Sequence, residues 1–443
     1  MNSQTPVSSR RRFLKTAAAT AAGPFILPSH IWAAETKPND RMVVGFIGMG
    51  KQNGGLLRNF MGQGVQAVAV CDVDTTRREH AKKVVDEKYG NSDCKATNRF
   101  EEITEAEGVD AVCIATPDHW HTVVTNSALD HGKHVYCEKP LTHNIHESIE
   151  VMKAVERNKR ILQTGSMQRS SSEFRVACEL VRNGVIGEIK NVDVSFGDPG
   201  KPCDLEEEKM EPGLDWDRWC GPGPLRPYSS VLSPRGLHNH FPHWRNYMEY
   251  GGGMVTDWGA HHIDIAQWGL GMDDSGPIEA RPPEGWVQWK SKRGAQLTYA
   301  NGTTVTHKNG FGVHFQGTDG EVKVNRGRFA FILKGKEISK FERKGDGSLG
   351  RALAIAEREF LKDAKVKLYN SSHHIRDFLD CTRSGKKPIT NEIVGARSAI
   401  CCHLMNQAYY HGKVLNWDPA NNAFTKGSGK PEWLSREYRG TWK

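Results

Sequence analysis

An apolar run, Met42-Val43-Val44-Gly45-Phe46-Ile47, breaks without a linker into Gly48-Met49-Gly50, and this junction restricts the fold more than any other stretch of the chain. A short, continuously apolar run reads as a strand buried on both faces, as in a parallel sheet. The first glycine permits a tight turn, and the second lets the backbone approach a pyrophosphate at the N-terminus of the helix that follows. The third glycine of this dinucleotide-binding pattern is replaced by Asn53, with Gly54 one position later, which loosens helix-to-strand packing rather than phosphate approach. The next strand, Ala67-Val68-Ala69-Val70-Cys71, ends in Asp72, near the spacing of about 20 residues at which an acid grips the ribose hydroxyls. An acid there repels a 2'-phosphate and favours NAD; Arg77 and Arg78 follow closely and leave NADP open.

The alternation continues. Val109 to Pro117 is a third strand, ending in Thr116-Pro117, after which Asp118-His119-Trp120-His121 opens a helix to about His131. Gly132 to Cys137 is a short strand that ends in Glu138-Lys139-Pro140. Strand, helix and strand in this order imply a parallel doubly wound sheet with ligand at the carboxyl ends of the strands, which places Lys139 beside the nicotinamide.

A second stretch carries proton chemistry. Gly251-Gly252-Gly253 leads into an apolar-periodic run in which Asp257, His261 and Asp264 fall at i, i+4 and i+7, on one helical face. A carboxylate one turn from an imidazole fixes and polarises the ring, and the ring titrates near neutral pH.

The N-terminus reads as an address. Ser9-Arg10-Arg11-Arg12-Phe13-Leu14-Lys15, a mild Ala-rich stretch to Leu27 and a small-residue site near Ala33 and Ala34 are similar to a twin-arginine export signal spanning residues 1–34. Pro24 and Pro28 make it too interrupted to span a bilayer, so the expected location is periplasmic, with no membrane span. Its Arg10, Arg11, Arg12 and Lys15 supply four of the formal +8 charges of the chain. No basic cluster with interleaved aromatics remains, which excludes a nucleic-acid partner. The ten cysteines lack Cys-x-x-Cys spacing, and Cys71, Cys113 and Cys137 sit in strand-like runs, so they read as buried inert thiols. A chain of 443 residues is too long for one core and suits two domains.

These pieces resemble the glucose-fructose oxidoreductase, inositol dehydrogenase and rhizopine-catabolism family (Gfo/Idh/MocA). The matching residues are Gly48-x-Gly50, Thr116-Pro117-Asp118-x-x-His121, Glu138-Lys139-Pro140, Gly165-x-x-Gln168-Arg169, Ile186-Gly187-Glu188-Ile189 and Asp257-x-Gly259-x-His261-x-x-Asp264. The resemblance implies an α/β Rossmann domain over residues 40–165, followed over 166–443 by an α+β domain with a large, mostly antiparallel open sheet. It implies Lys139, Asp257 and His261 as the catalytic group. It places Gly48, Met49, Gly50, Asp72, Thr116, Pro117, His121, Glu138, Lys139 and Gln168 around the cofactor and Arg169 near the substrate. It also implies a homo-oligomer formed through the second-domain sheet.

The second half alternates as strands, among them Ile189 to Phe196, Ala295 to Tyr299, Thr303 to Thr306 and Glu321 to Val324, and ends in helices Ser372 to Arg383 and Ile393 to His411. Between Asp198 and Tyr250 runs an irregular segment far longer than an ordinary connection, rich in Pro, Gly and Trp. Its Trp219, Arg226, His240 and Trp244 are candidate substrate contacts, since aromatic faces stack on sugar rings and Arg and His donate to hydroxyls. The same tryptophans also suit a self-packed satellite core, and His238, His240 and His243 with His261 and His262 suit a metal site without firm ligand spacing. The expected chemistry is NAD(P)-dependent oxidoreduction at a secondary hydroxyl of a sugar, cyclitol or glycoside, with the cofactor tightly bound and recycled on the protein. The alternatives are an NAD-dependent glycosidase or lyase acting through a transient keto-sugar, and a non-catalytic sugar or nucleotide binding protein.

Overall fold

The computed structural model describes residues 41–290 and 293–442. The paired-arginine leader, residues 1–34, lies outside the described residues. Strands β1 (Val43–Ile47), β2 (Gln66–Cys71), β3 (Lys95–Thr97), β4 (Ala111–Ile114), β5 (His134–Cys137) and β6 (Leu162–Thr164) form a parallel sheet in the order β3-β2-β1-β4-β5-β6. The order reverses between β1 and β4, so the crevice beyond their carboxyl ends opens beside Gly48 and Thr116. The apolar runs are buried because helices cover both faces. Val68, Val112, Val135 and Leu162 pack on one side, and Val44, Phe46, Val70 and Tyr136 on the other.

The second sheet has ten strands: β7 (Ile189–Val194), β8 (Glu279–Arg281), β9 (Gln296–Thr298), β10 (Thr304–His307), β11 (Val313–Gly317), β12 (Gly320–Asn325), β13 (Arg328–Leu333), β14 (Lys336–Phe341), β15 (Leu415–Asp418) and β16 (Ala423–Thr425). Its order is β14-β13-β12-β11-β7-β10-β9-β8-β15-β16, antiparallel except for the β7–β10 pair. Helices Ser172–Arg182, Gly259–Leu270 and Glu392–His411 cover its inner face, where Val192, Phe315, Val322 and Phe331 are fully buried.

The expected boundary at residue 165 marks where the first sheet ends, but not where its core is completed. Helix His374–Ser384 returns to it, packing Ile375, Phe378 and Leu379 against Phe60 and Tyr136. The irregular segment from Asp198 to Tyr250 folds on itself around Leu214, Trp219, Tyr228, Trp244 and Tyr250. It is also pinned to the first sheet: Thr75 N–H donates to Gly213 O (2.8 Å), Asp215 N–H donates to Val73 O (3.0 Å), and Arg235 pairs with Asp74. All ten cysteines are free and buried. Among the described residues no helix is long and apolar enough to cross a membrane.

Candidate active site

The turn after β1 begins at Gly48, whose φ of +82° disfavours any side chain. A Cβ there would also fall 2.8 Å from Thr116 N and 2.9 Å from Ala115 O. Helix Lys51–Gly62 starts at Gly50 with no side-chain cap, so its first-turn amides remain available to an anion. Asp72 closes the far end. Its Oδ2 accepts from Met49 N–H (2.6 Å) and its Oδ1 from Asp74 N–H (2.8 Å), which leaves lone pairs for two hydroxyls. Arg77 donates to the carbonyls of Pro234 and Gly236, and Arg78 donates to Asp72 O (2.9 Å). Both guanidiniums are thus engaged by backbone, and the carboxylate of Asp72 is left as the polar end of the groove, in favour of NAD.

This groove runs between Gly48, Gly50, Asp72, Thr116 and Pro117 on one wall and Trp219, Leu232, His238 and Trp244 on the other. Met49 faces the neighbouring outer side of the same turn. The pinned segment therefore roofs the nucleotide groove. Thr116 Oγ1 is buried without a hydrogen-bond partner among the described residues, an orphan that a bound nucleotide would satisfy. Shape, free amides and acid together fit NAD.

A second cavity, of about 730 Å³, shares Gln52, Thr116, Phe241, Trp244 and Arg245 with the groove and holds Lys139, Asp257 and His261. Two separate pieces of chain meet here. Lys139 follows β5. Asp257 ends the short helix Met254–Asp257, which runs through the helical Trp258 into helix Gly259–Leu270 and brings His261 alongside. Gly253 makes this entry possible: its φ is +70°, and a Cβ would fall 2.2 Å from Gly200 N.

Lys139 Nζ is bonded to Asp257 Oδ1 and to Asp257 O (3.2 Å), while Arg245 Nε stands 3.7 Å from Asp257 Oδ2. Burial opposes the Asp257 carboxylate, but Lys139 and Arg245 hold its pKa below the ordinary value. The expectation that Asp257 orients the imidazole is therefore corrected: its oxygens are committed to the two cations. His261 is 5% exposed, and neither ring nitrogen has a partner among the described residues. Burial, reinforced by Lys139 and Arg326, pushes its pKa well below the ordinary histidine value, so the ring is neutral.

The neighbours of Lys139 are braced. Glu138 accepts from Gln52 Nε2 (2.9 Å), and burial raises its pKa. His121 lines the cavity, but its nitrogens lie 2.7 Å from Pro140 O and 3.0 Å from Thr116 O, so it ties the Lys139 turn to the end of β4 instead of meeting cofactor.

Other expected contacts lie elsewhere. Asp264 turns away from the cavity into a fully buried pair with Arg169, whose Nε and Nη2 reach its two oxygens (2.9 and 2.7 Å) and whose Nη2 also bonds Asp273 (2.7 Å). Arg169 is thus structural, buried against two carboxylates and absent from the lining of the cavity. Gln168 is buried behind the cavity, and with its NH2 donating to His261 O (3.2 Å) its oxygen accepts from Arg326 Nε (3.1 Å). It is therefore not in the nucleotide groove. Trp219 stacks on Trp216 with centroids 4.6 Å apart and lines the groove rather than the Lys139 cavity. Arg226 pairs with Glu249 (3.6 Å), and the exposed His240 packs on His238 (4.4 Å); neither lines the cavity. Trp244 does, under a cation–π contact with Arg245 (4.2 Å). Among the described residues no three His, Cys, Asp or Glu side chains converge as a metal site. Asp118 and Arg326 complete the lining, and the sequence singled out no role for either.

Residues 42–166 match the Gfo/Idh/MocA oxidoreductase family model for the NAD-binding Rossmann fold, and residues 183–324 match that family's C-terminal alpha/beta domain. Together they take in more than half of the chain. The protein belongs to the Gfo/Idh/MocA oxidoreductase family. Its first domain is accordingly an NAD-binding Rossmann domain. A glycosyl hydrolase family 109 protein of Shewanella pealeana is 26% identical over a 208-residue alignment that covers 42% of this chain and 45% of the relative. The chain thus spans about half the length of the curated relatives it matches. Among solved structures, the aldose-aldose oxidoreductase from Caulobacter crescentus complexed with glycerol superposes with a TM-score of 0.58 at 18% identity, covering 85% of this chain and 99% of that one. An inositol dehydrogenase homolog from Azotobacter vinelandii, complexed with NADH and myo-inositol, gives 0.57 at 17% identity, covering 85% and 98%. At such identities the likeness is one of fold.

Proposed function

We propose that this Gfo/Idh/MocA protein is an NAD-dependent oxidoreductase acting on a secondary hydroxyl of a sugar, cyclitol or glycoside, with the nucleotide held tightly and recycled in place by returning the hydride to the carbonyl of a second sugar. The observation that carries this reading is the meeting of Lys139, Asp257 and the unpartnered His261 in a cavity continuous with the dinucleotide groove. A bound nicotinamide would supply the hydride acceptor. In this reading the neutral His261 ring takes the hydroxyl proton, and Lys139 Nζ donates to the oxygen as it develops negative charge. Asp257 holds Nζ in place, and Arg245 shares that carboxylate. The segment carrying Leu232, Phe241 and Trp244 lies over the groove and supports slow nucleotide exchange. Slow exchange suits export in the folded state by the twin-arginine leader to the periplasm, where a free NAD pool is lacking. We also infer assembly as a homo-oligomer through the outer face of the second sheet, where Asn191, Asp193, Thr304 and Gln316 form a hydrogen-bonded row.

The names of the curated relatives favour a second reading: a ring hydroxyl is oxidised to a transient ketone, the aglycone leaves by elimination, water adds to the resulting double bond, and the ketone is reduced back. One experiment separates the two. The purified protein is denatured to identify released nucleotide, and the native protein is incubated with a glycoside panel whose products are weighed by mass spectrometry. A product two hydrogens lighter supports net oxidation, and a released aglycone at unchanged redox level supports the glycosidase. A preparation free of nucleotide that exchanges NAD rapidly would sink the recycling step.

The direction of the His261 shift sets the pH dependence. Proton acceptance needs the neutral ring, whose pKa is depressed, so activity is full above that value and is lost only as pH falls through it. The acid limb of kcat/KM for sugar oxidation is expected well below about pH 6.5. A limb at or above that pH would assign the proton to another group.

A further inference from the structure

One cation of the cavity helps keep His261 neutral but makes no contact with a reacting group in the reaction proposed above. Arg326 lies in the turn between β12 and β13, and its guanidinium reaches the wall that also carries Lys139, Asp257 and His261. Its plane is set from two sides. It stands 4.5 Å over the ring of Trp258, and its Nε donates to the buried Gln168 amide, which in turn holds the His261 carbonyl. Neither terminal nitrogen of Arg326 has a hydrogen bond or ion pair among the described residues. Two of the nearby carboxylates are occupied, and none pairs with Arg326 among the described residues. Asp257 is shared by Lys139 and Arg245, and Glu138 accepts from Gln52 and from Lys139 N–H (3.3 Å). Asp118 is buried at the start of its own helix, with no ion pair to another side chain among the described residues.

A guanidinium fixed at Nε and over one face presents a two-pronged edge, the geometry that matches a planar or tetrahedral oxyanion. We propose that the substrate is an acidic sugar whose oxyanion substituent, a carboxylate or a sulfate ester, is gripped by the two terminal nitrogens of Arg326. The grip decides which ring carbon faces Lys139 and His261. A neutral polyol would offer the fork no planar or tetrahedral oxyanion to match. This rests on the reading of the cavity as a sugar site.

The test compares methyl β-D-glucuronide, D-glucose 6-sulfate and methyl β-D-glucoside on the nucleotide-loaded wild-type protein, Arg326→Lys and Arg326→Ala. The turn is exposed, so neither variant should disturb folding. At least one charged sugar is expected to exceed the neutral one in kcat/KM by about 10- to 100-fold, the span of a charged hydrogen bond, and the better anion identifies its chemistry. That ratio should collapse toward one in Arg326→Ala and fall most of the way in Arg326→Lys, because an ammonium offers a point charge and not a fork. Equal use of charged and neutral sugars, or a ratio that Arg326→Ala leaves intact, overturns the proposal. If no sugar of either kind exchanges hydride, the redox reading fails by itself and calorimetric titration with methyl β-D-glucuronide decides the anion site. Binding to wild type that Arg326→Ala abolishes upholds it, and no binding overturns it.

Discussion

Replacing Lys139 with methionine is expected to slow single-turnover hydride transfer by about 100- to 1,000-fold, the cost of deleting one donor aimed at a developing oxyanion. Methionine keeps the length and much of the volume of the side chain, so the loss reports the ammonium. The groove at Gly48, Gly50 and Asp72 is built without Lys139, and the nucleotide released on denaturation should be undiminished. Asp257 would keep only its ion pair with Arg245, at 3.7 Å, and its pKa should rise once the strongest of its opposing cations is gone. Asp257→Asn should reproduce part of the defect, because the amide preserves shape while freeing Nζ to turn away. Rapid-mixing measurement of nicotinamide absorbance on the loaded protein checks this. A Lys139→Met protein that transfers hydride near the wild-type rate would remove the lysine from the chemistry.

Arg169→Leu is expected to destabilise the fold by about 3–5 kcal/mol, since it strands the Asp264 carboxylate in the core. Both side chains are essentially inaccessible, at 2% and 1% exposure, so water cannot replace the lost partner. Burial works against the Arg169 charge, but Asp264 and Asp273 overcome it and hold its proton more tightly than in a free arginine. Ser398 donates to Asp264 Oδ1 (2.9 Å), which ties helix Glu392–His411 to the same pair and makes the loss a global one. The double variant Arg169→Leu with Asp264→Leu should recover much of the deficit, because removing both charges removes the desolvation penalty. Urea unfolding measures the effect through its midpoint. A stable Arg169→Leu protein with a raised KM would instead return Arg169 to the substrate.

The contrast between Lys139 and Arg169 shows what kind of information each level of description holds. The apolar runs ending at Ile47, Cys71, Ile114 and Cys137, with glycines and acids at their ends, were enough to specify a parallel sheet and its nucleotide crevice, because strand burial and turn geometry are local properties of adjacent residues. The helical spacing of Asp257 and His261 was likewise enough to bring both to one cavity. Spacing says nothing about what lies opposite a helix face. Only the packing of helix Gly259–Leu270 against its neighbours turned Asp264 inward to Arg169, committed Asp257 to Lys139 rather than to the imidazole, and left His261 without a partner. In the same way, the irregular segment declared its aromatic content in the sequence, but its role as the roof of the groove depended on contacts such as Arg235 with Asp74, far apart in the chain. Arg326 was invisible for the same reason: a turn arginine is an ordinary solvated residue until tertiary structure carries it against Trp258 and Gln168. The sequence by itself determined the elements and the chemical types at their ends. The tertiary structure decided the pairing of charges, since desolvation and hydrogen-bond geometry depend on neighbours that are distant along the chain.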